Sequence, residues 1–307
     1  MIDRRFHLHL LGLGLALCLL FGCQPEPPAS VLLITMESMR ADQLGASWKG
    51  EPVTPVLDEL ANRSVVYEHA ISPAPWTTPA ITSILTGHLT PAHGLEEHDR
   101  ALAPEVEVVA ERFRAAGYRT AAFVSAATLR PAFGLDKGFE VYDYEDFGHE
   151  RVSSPSLVGK VQHRLDQWRD EPFFIWVHLW DPHYNYRPQP PYDTRFERGD
   201  EPARQDVQRL KWTRNPVTSA EADYLYGQYQ GEVAYTDHYV GKLLDTLGEL
   251  GRRDNLIVAV AGDHGESFLE HGWLGHTNRL DEVNVHVPLV VQWPGLEVPR
   301  RVATPVS

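Results

Sequence analysis

The stretch LIVAVAGDHGE (residues 256–266) is the clearest indication of the fold, because a wholly apolar run of strand length ends in a cluster of polar side chains. Such a run, without alternating polar residues, is typical of a strand buried on both faces of a parallel sheet. Asp263 and His264 follow it directly. In open parallel sheets, ligands bind outside the carboxyl ends of the strands. The stretch therefore predicts both the sheet and the edge at which a site forms.

Similar apolar runs alternate with amphipathic helical patterns along the rest of the chain. The pattern predicts further strands at residues 30–35, 64–70, 120–124, 172–180 and 287–292, and helices at residues 55–61, 105–116, 155–169 and 219–250, the last of them long or broken. Ser154 is placed to cap the third helix, and residues 184–215 are interpreted as a long surface excursion. The alternation predicts an α/β fold, with a mostly parallel central sheet and helices on both faces.

Polar side chains of the kinds that bind metals follow several of these strands. Glu37 and His183 each come shortly after a predicted strand, as Asp263 and His264 do. Any one of them could be structural, since an isolated His is usually a satisfied polar residue and an Asp-His pair can cap a helix. Together they predict one site, and two carboxylates with an imidazole suit one divalent metal ion, whether zinc, manganese or calcium.

A second candidate feature is WTTPAITSILTG (residues 76–87), where hydroxyls precede an apolar helical pattern. Pro79 is suited to the first helical position, which would place Thr77 and Thr78 where the helix begins. The free N–H groups of a helix start attract anions. Thr77 could therefore be a fourth metal ligand and a nucleophile. The alternative is that Thr78 is merely an N-cap.

Two histidines complete the candidate chemistry. His183 and His276 could hold the oxygens of a tetrahedral ester or protonate its leaving group. The hypothesis is a displacement at phosphorus or sulfur through a covalent intermediate on Thr77. Its substrate would be a small molecule or a glycan or lipid ester.

The charge balance argues against a nucleic-acid partner. The chain of 307 residues has 28 basic and 42 acidic residues, a formal charge of −14, without a compensating basic block. Its two cysteines, Cys18 and Cys23, both lie near the N-terminus, so the rest of the chain has neither a disulfide nor a thiolate metal site.

The N-terminus has the pattern of a targeting segment. Arg4 and Arg5 precede a mostly apolar run at residues 8–21, which is short for a membrane span, and Gly22 precedes Cys23. This resembles the lipobox of bacterial lipoproteins. It implies a signal peptide at residues 1–22, a tether at 23–30 and anchoring of the protein in the bacterial cell envelope, periplasmic or outer-membrane, through lipidated Cys23. The alternatives are an ordinary signal peptide and an uncleaved anchor.

A series of motifs in fixed order resembles the sulfatase branch of the alkaline phosphatase superfamily. They are VLLITMESMRADQLG (31–45), TPVLDELA (54–61), PWTTPAITSILTGHLTPAHG (75–94), AAGYRTAAFVS (115–125), FFIWVHLWDPHYNY (173–186), AGDHGESFLEHGWLGH (261–276) and VPLVVQWPG (287–295). The resemblance implies metal binding by Glu37, Thr77, Asp263 and His264, with Thr77 at the nucleophile position. His183 and His276 match histidines that contact the ester.

The chain also departs from the sulfatase pattern. Thr77 stands where sulfatases carry the Cys or Ser that becomes formylglycine, Ile81 stands at an arginine position, and Ser125 at a lysine position. The metal set Glu, Thr, Asp and His is similar to that of phosphoethanolamine transferases and lipoteichoic acid synthases. A sulfatase-family hydrolase, a phospho-group transferase with a covalent phosphothreonine, and a catalytically degenerate binding protein therefore remain open. The resemblance further implies that residues 31–307 form a catalytic domain lacking a C-terminal subdomain.

Overall fold

The computed structural model describes residues 27–97, 100–146, 148, 151–201 and 217–307. The signal peptide predicted at residues 1–22 and the lipidation site at Cys23 lie outside these residues. Within the described part of the chain, no helix combines the length and the apolar character needed to cross a membrane.

The described residues contain twelve strands, seven α-helices and four short 3₁₀ helices. The strands are β1 (Ser30–Met36), β2 (Ser47–Trp48), β3 (Glu51–Pro52), β4 (Val65–Ile71), β5 (Arg119–Val124), β6 (Val141–Tyr144), β7 (Phe173–Leu179), β8 (Leu256–Gly262), β9 (Ser267–Phe268), β10 (Leu274–Gly275), β11 (His286–Gln292) and β12 (Arg300–Val302). The helices are α1 (Pro55–Ala61), α2 (Thr77–Thr86), α3 (Thr90–His93), α4 (Val109–Ala115), α5 (Ser154–Gln167), α6 (Ser219–Glu249) and α7 (Glu282–Val285).

The central sheet has eight strands in the order β12-β4-β11-β8-β1-β7-β5-β6. All neighbouring pairs in it are parallel except those that involve β11, which is antiparallel to β4 and β8. β2 with β3 and β9 with β10 form separate two-stranded sheets. The predicted α/β fold with a mostly parallel sheet is confirmed.

Helices cover both faces of this sheet, because alternate residues of each strand point to opposite sides. On one face, Leu32 and Ile34 of β1 pack in a core with α1, α5 and α6. On the other, Phe174 and Trp176 of β7 pack in a core with α2 and α4. Trp176 is fully buried. The central strands are thus apolar on both faces, as their sequence indicates.

Helix α4 begins later than its apolar pattern suggests. It starts at Val109 rather than at residue 105, because Glu111 turns its carboxylate back onto the backbone N–H of Val108. Gly117 ends this segment with φ of +86°, a conformation that favours glycine. Helix α6 runs unbroken from Ser219 to Glu249.

Two predicted helix starts are wrong in detail. Ser154 lies inside α5 and does not cap it. Instead, the distant carboxylate of Asp181 accepts hydrogen bonds from the backbone N–H groups of Ser153 and Ser154. Pro79 is the third residue of α2, so Thr78 is not its N-cap. The Thr78 hydroxyl donates to Thr128 O at 3.1 Å.

The segment after β7 is only partly a surface excursion. Residues 202–216 lie outside the described structure, so the prediction for them is not addressed. Within residues 184–201, Tyr186 and Phe196 are buried and belong to the core beside α6. These aromatic side chains anchor the segment to the domain, which a reading of its Pro and Arg content alone does not predict.

Candidate active site

The parallel strands β1, β7 and β8 bring their carboxyl ends together at one edge of the sheet. Glu37 follows β1, and Asp263 and His264 follow β8. The turn beyond them requires a glycine, because a Cβ on Gly265 would lie 2.0 Å from the carbonyl oxygen of Val283. The backbone N–H of Asp263 donates to Met36 O at 3.3 Å, which holds Asp263 and His264 next to the end of β1.

Glu37 is the centre of the cluster and is fully buried. Its Oε1 accepts a hydrogen bond from the hydroxyl of Thr77 at 3.1 Å. Its Oε2 lies 3.0 Å from Nε2 of His178. Nε2 of His264 lies 2.9 Å from Oε1. One carboxylate therefore connects α2, β7 and the turn after β8.

Asp263 bonds the backbone through one carboxylate oxygen, and its second oxygen has no hydrogen-bond partner. Its Oδ1 accepts hydrogen bonds from the N–H groups of Ser38 at 3.0 Å and His264 at 2.7 Å. Ser38 has φ of +53°, a conformation uncommon for a residue other than glycine. Oδ2 of Asp263 is buried and has no hydrogen-bond partner. Such an atom is costly unless something else satisfies it.

The tautomer of His264 is set by its own turn. Nδ1 lies 2.9 Å from Gly265 O, and a carbonyl only accepts, so Nδ1 carries the proton. In the neutral ring, Nε2 then has only a lone pair to present to the carboxylate of Glu37, 2.9 Å away, and makes no hydrogen bond. A lone pair facing a carboxylate repels it unless a cation or proton lies nearby.

The ionisation of these groups reflects the same crowding. Burial and the negative charge of Glu37 raise the pKa of Asp263 to about 7. Burial disfavours the charged form of His264, but Asp263 and Glu37 outweigh it and raise its pKa to about 9. For Glu37, burial is outweighed by the charge of His264 and the hydrogen bond of His178, and its pKa is well below the usual range. The cluster therefore carries more negative charge than its own residues neutralise.

A divalent metal ion fits this donor set. The candidate ligand atoms of Glu37, His264 and His276 lie within 4.8 Å of one another, and so do those of Glu37, His178 and Asp263. Ligand atoms about 2.0–2.4 Å from one ion are separated by roughly 3–4 Å. The unpartnered Oδ2 of Asp263 and Nε2 of His264 are the atoms that an ion would satisfy. Carboxylate and imidazole donors do not discriminate sharply among zinc, manganese and calcium.

Thr77 lines a cavity of about 420 Å³. It is the first residue of α2, so its hydroxyl lies beside backbone N–H groups at the positive end of a helix. The cavity is also lined by Trp76, Ser125, Trp180, His183 and His276. Ser125 Oγ is buried without a hydrogen-bond partner. Ile81, in contrast, is fully buried in the core and does not line the cavity.

The two remaining histidines lie together on the cavity wall. The ring of His276 is 4.4 Å from that of His264 and 5.1 Å from that of His183, measured between centroids. Nδ1 of His276 lies 3.0 Å from the carboxylate of Glu266, and Nδ1 of His183 lies 2.7 Å from Tyr184 O. His183 stacks on Trp180 at 3.9 Å. In both rings, therefore, Nδ1 lies within hydrogen-bond distance of an acceptor oxygen.

The structure brings all of the predicted site residues to this one edge: Glu37, Thr77, His183, Asp263, His264 and His276. Their individual roles stay predictions. Sequence reasoning missed His178, although an isolated histidine in the apolar run PFFIWVHLW was a usable signal. It also missed Glu266, which lies in the quoted motif but not directly after a strand.

The chain is similar in sequence to known sulfatases. The chain is 26% identical over 302 residues to the ulvan-active sulfatase of Formosa agariphila, covering 89% of this chain and 58% of that protein. It is 26% identical over 321 residues to the human N-sulphoglucosamine sulphohydrolase, covering 94% and 58%. The chain thus spans 58% of the length of these two curated relatives.

A solved structure has the same fold. The phosphonate monoester hydrolase of Agrobacterium radiobacter superposes with a TM-score of 0.75 at 20% identity, covering 90% of this chain and 70% of that one. A sequence model described as Sulfatase matches residues 29–307. Since that match extends over nearly the whole sequence, the chain belongs to the sulfatase family.

Proposed function

We propose that this protein is a metal-dependent hydrolase of sulfate or phosphate esters that uses Thr77 as its nucleophile. The observation that carries the proposal is the Thr77 hydroxyl, which lies 3.1 Å from the buried Glu37 carboxylate and lines the cavity. The names of the relatives support the reaction class, since two are sulfatases and one is a phosphonate monoester hydrolase.

The proposed cofactor is one divalent ion held by Glu37, Thr77, Asp263 and His264. When bound, such an ion would lower the pKa of an attached hydroxyl and offset the negative charge of the ester oxygens. The fixed Nδ1 proton of His264 leaves Nε2 as its ligand atom. The donor types suit calcium, zinc and manganese alike, so the assay has to identify the ion.

The reaction has two balanced steps. In the first, the Thr77 hydroxyl passes its proton to the Glu37 carboxylate that accepts its hydrogen bond, and Oγ1 bonds to phosphorus or sulfur as the bond to the leaving oxygen breaks. His276, protonated on both nitrogens, gives a proton from Nε2 to the leaving oxygen, while the carboxylate of Glu266 holds its Nδ1–H. In the second, water attacks the threonine ester and leaves a hydroxyl on phosphorus or sulfur. The other water proton returns to His276, and the proton on Glu37 returns to Thr77 as the product acid is released. His183, on the same wall, is placed to hold a non-bridging oxygen.

The test is turnover by the mature protein loaded with zinc, manganese or calcium on an aryl sulfate, an aryl phosphate diester and an aryl phosphonate monoester. Thr77→Ala is expected to lower kcat at least about 10³-fold, because it removes the nucleophile. Thr78→Ala is the matched control, since it removes the neighbouring hydroxyl, which bonds Thr128 O rather than Glu37.

Three outcomes would contradict the proposal. Turnover that survives Thr77→Ala would remove Thr77 as the nucleophile. Inactivity on all three substrates despite one bound metal ion would favour a binding protein. Release of the phospho-group to an added alcohol rather than to water would instead identify a transferase.

The proposed location is the bacterial cell envelope, with Cys23 lipidated. The support is the sequence of residues 1–23 alone. Full-length protein expressed in a bacterial host should partition into the detergent phase of a Triton X-114 extract, and Cys23→Ser should shift it to the aqueous phase. Partitioning that does not change with Cys23→Ser would exclude this anchor.

A further inference from the structure

A chain of buried hydrogen bonds leads from the core to Glu37. Thr35 of β1 and His178 of β7 are directly paired across the parallel strands. Nε1 of Trp176 lies 2.9 Å from Thr35 Oγ1, and that oxygen lies 2.8 Å from Nδ1 of His178. Nε2 of His178 lies 3.0 Å from Glu37 Oε2. The four side chains form one continuous series, which we call the Trp176 relay.

The direction of each hydrogen bond follows from which atoms can donate and which can only accept. The indole N–H of Trp176 can only donate, so the Thr35 hydroxyl oxygen accepts from it. The single Thr35 proton then goes to His178 Nδ1, because its other acceptor, Val177 O, is 3.5 Å away at the outer limit of a hydrogen bond. Nδ1 is therefore unprotonated, and the neutral ring carries its proton on Nε2. That proton points to Glu37.

Burial makes this order hard to reverse. Trp176, Thr35, His178 and Glu37 are each 0% exposed, so water does not reach the relay to supply another donor or acceptor. In the reversed order, Thr35 Oγ1 would accept from both Trp176 and His178, and its proton would have only Val177 O, 3.5 Å away, as an acceptor. A lone pair on Nε2 of His178 would then face the Glu37 carboxylate at 3.0 Å with no proton between them. A buried polar group without a partner costs about 1–3 kcal/mol. The relay therefore has one low-energy arrangement.

The relay also decides between two roles for His178. The histidine is close enough to Glu37 and Asp263 to belong to a metal-binding group. A ligating imidazole nitrogen must be unprotonated, however, and the relay places a proton on Nε2. His178 is thus a donor to the carboxylate and not a ligand. Hydrogen bonds to ligating carboxylates fix their orientation.

We propose that Trp176, Thr35 and His178 fix the Nε2–H tautomer of His178 and thereby position the Glu37 carboxylate for its metal ion. His178 is a positioning residue in this scheme. The metal half of the inference rests on the proposed function, whereas the tautomer follows from the protein contacts alone. Loss of such a partner typically weakens metal binding about 10–100-fold.

The tautomer is tested first, on metal-free protein labelled with 15N-histidine. Comparison of two-bond 15N–1H correlation spectra of wild type and His178→Gln assigns the His178 signals. We expect Nδ1 of His178 at the unprotonated position and Nε2 at the protonated position. Thr35→Val, which removes the donor to Nδ1, should change this pattern, and Thr35→Ser should keep it. A protonated Nδ1 in the wild type would overturn the relay.

The metal half is tested by chelator competition with zinc or manganese. Thr35→Val is expected to raise the Kd about 10-fold or more, and Thr35→Ser should restore it. Thr120→Val is the matched control, because Thr120 is an equally buried strand threonine that bonds Gly138 O and lies outside the relay. Equal Kd values for Thr35→Val and Thr120→Val would overturn positioning through the relay.

The two halves can fail separately. If the wild type binds none of the metals, the proposed metal site is wrong and the positioning of a ligand falls with it, while the tautomer spectra still decide the relay. If the wild type binds metal and the spectra place a proton on Nδ1, the relay is wrong and the proposed function stands.

Discussion

Asp237 in α6 and Asp263 after β8 are alike by two ordinary measures. Each is almost fully buried, and burial raises the pKa of each to about 7. Their partners differ. Both oxygens of Asp237 accept backbone N–H groups at the start of α1, from Val56 and Leu57, each at 2.9 Å. Asp263 satisfies only Oδ1 and leaves Oδ2 without a partner.

This difference separates a structural carboxylate from a candidate metal ligand. Asp237 completes a helix cap and leaves no oxygen for anything else. Asp263 lies beside a second carboxylate, Glu37, and an imidazole lone pair on His264. Among the described residues, the groups able to hold a metal both include Glu37. Burial and pKa do not distinguish the two aspartates, whereas an unpartnered oxygen among other donors does.

The largest expected effect is the loss of metal from Asp263→Asn. The amide keeps the bonds to Ser38 and His264 but removes the charge of Oδ2, so the affinity for zinc or manganese should fall by at least about 100-fold. Isothermal titration calorimetry measures the affinity and the stoichiometry of metal binding. Asp237→Asn should bind as the wild type does. Unchanged stoichiometry and affinity in Asp263→Asn would remove Asp263 from the site and break the comparison.

A large loss of stability is expected from Asp237→Ala. The change leaves the N–H groups of Val56 and Leu57 without their acceptors at a buried helix start, at a cost of about 2–3 kcal/mol in the free energy of unfolding. Urea denaturation checks it, and the metal affinity of the folded variant should not change. A Kd that rises in parallel with the loss of stability would mean that the two regions are coupled.

The fold was predictable where one physical cause dominated. Apolar strands such as β8 and the helix pattern of α6 follow from hydrophobic periodicity, which is a local property of the sequence. Helix starts were less predictable. α5 is capped by Asp181, which is 27 residues away from Ser154 along the chain, and no local pattern contains that partner. The short edge strands β6 and β12 were likewise missed, because edge strands carry little apolar signal.

The sequence predicted which residues belong to the candidate site better than it predicted their geometry. The rule that parallel strands end at one edge brings Glu37, Asp263 and His264 together from the sequence alone. The rule acts on residues after a strand, so it passed over His178, which is the sixth residue of β7. Oδ1 of Asp263 bonds the N–H groups of Ser38, 225 residues away, and of His264, so the unpartnered Oδ2 results from a tertiary contact that no local pattern contains.

A smaller effect is expected in the pH dependence of stability. Burial, with a contribution from the charge of Asp58, raises the folded pKa of Asp237 to about 7, against a usual value of 3.8. The folded state therefore binds more protons than the unfolded state between these values, so this group's contribution is full below about pH 4 and is lost as the pH rises through about 7. The stability of wild type relative to Asp237→Asn should fall across that window in urea denaturation. A constant difference from pH 4 to pH 8 would contradict it.

The smallest expected effect tests whether Asp181, near the cavity, behaves like Asp237. The Ser153 hydroxyl donates to Asp181 Oδ1 at 2.8 Å, whereas the Ser154 hydroxyl is buried with no hydrogen-bond partner. Ser153→Ala should therefore cost about 1 kcal/mol of unfolding free energy, and Ser154→Ala close to none. If Asp181 is a helix cap and nothing more, neither variant changes the metal Kd. If Ser153→Ala alone raised the Kd for the metal, Asp181 would belong with Asp263 to the carboxylates that support the metal site. It would do so although most of its hydrogen bonds cap the helix.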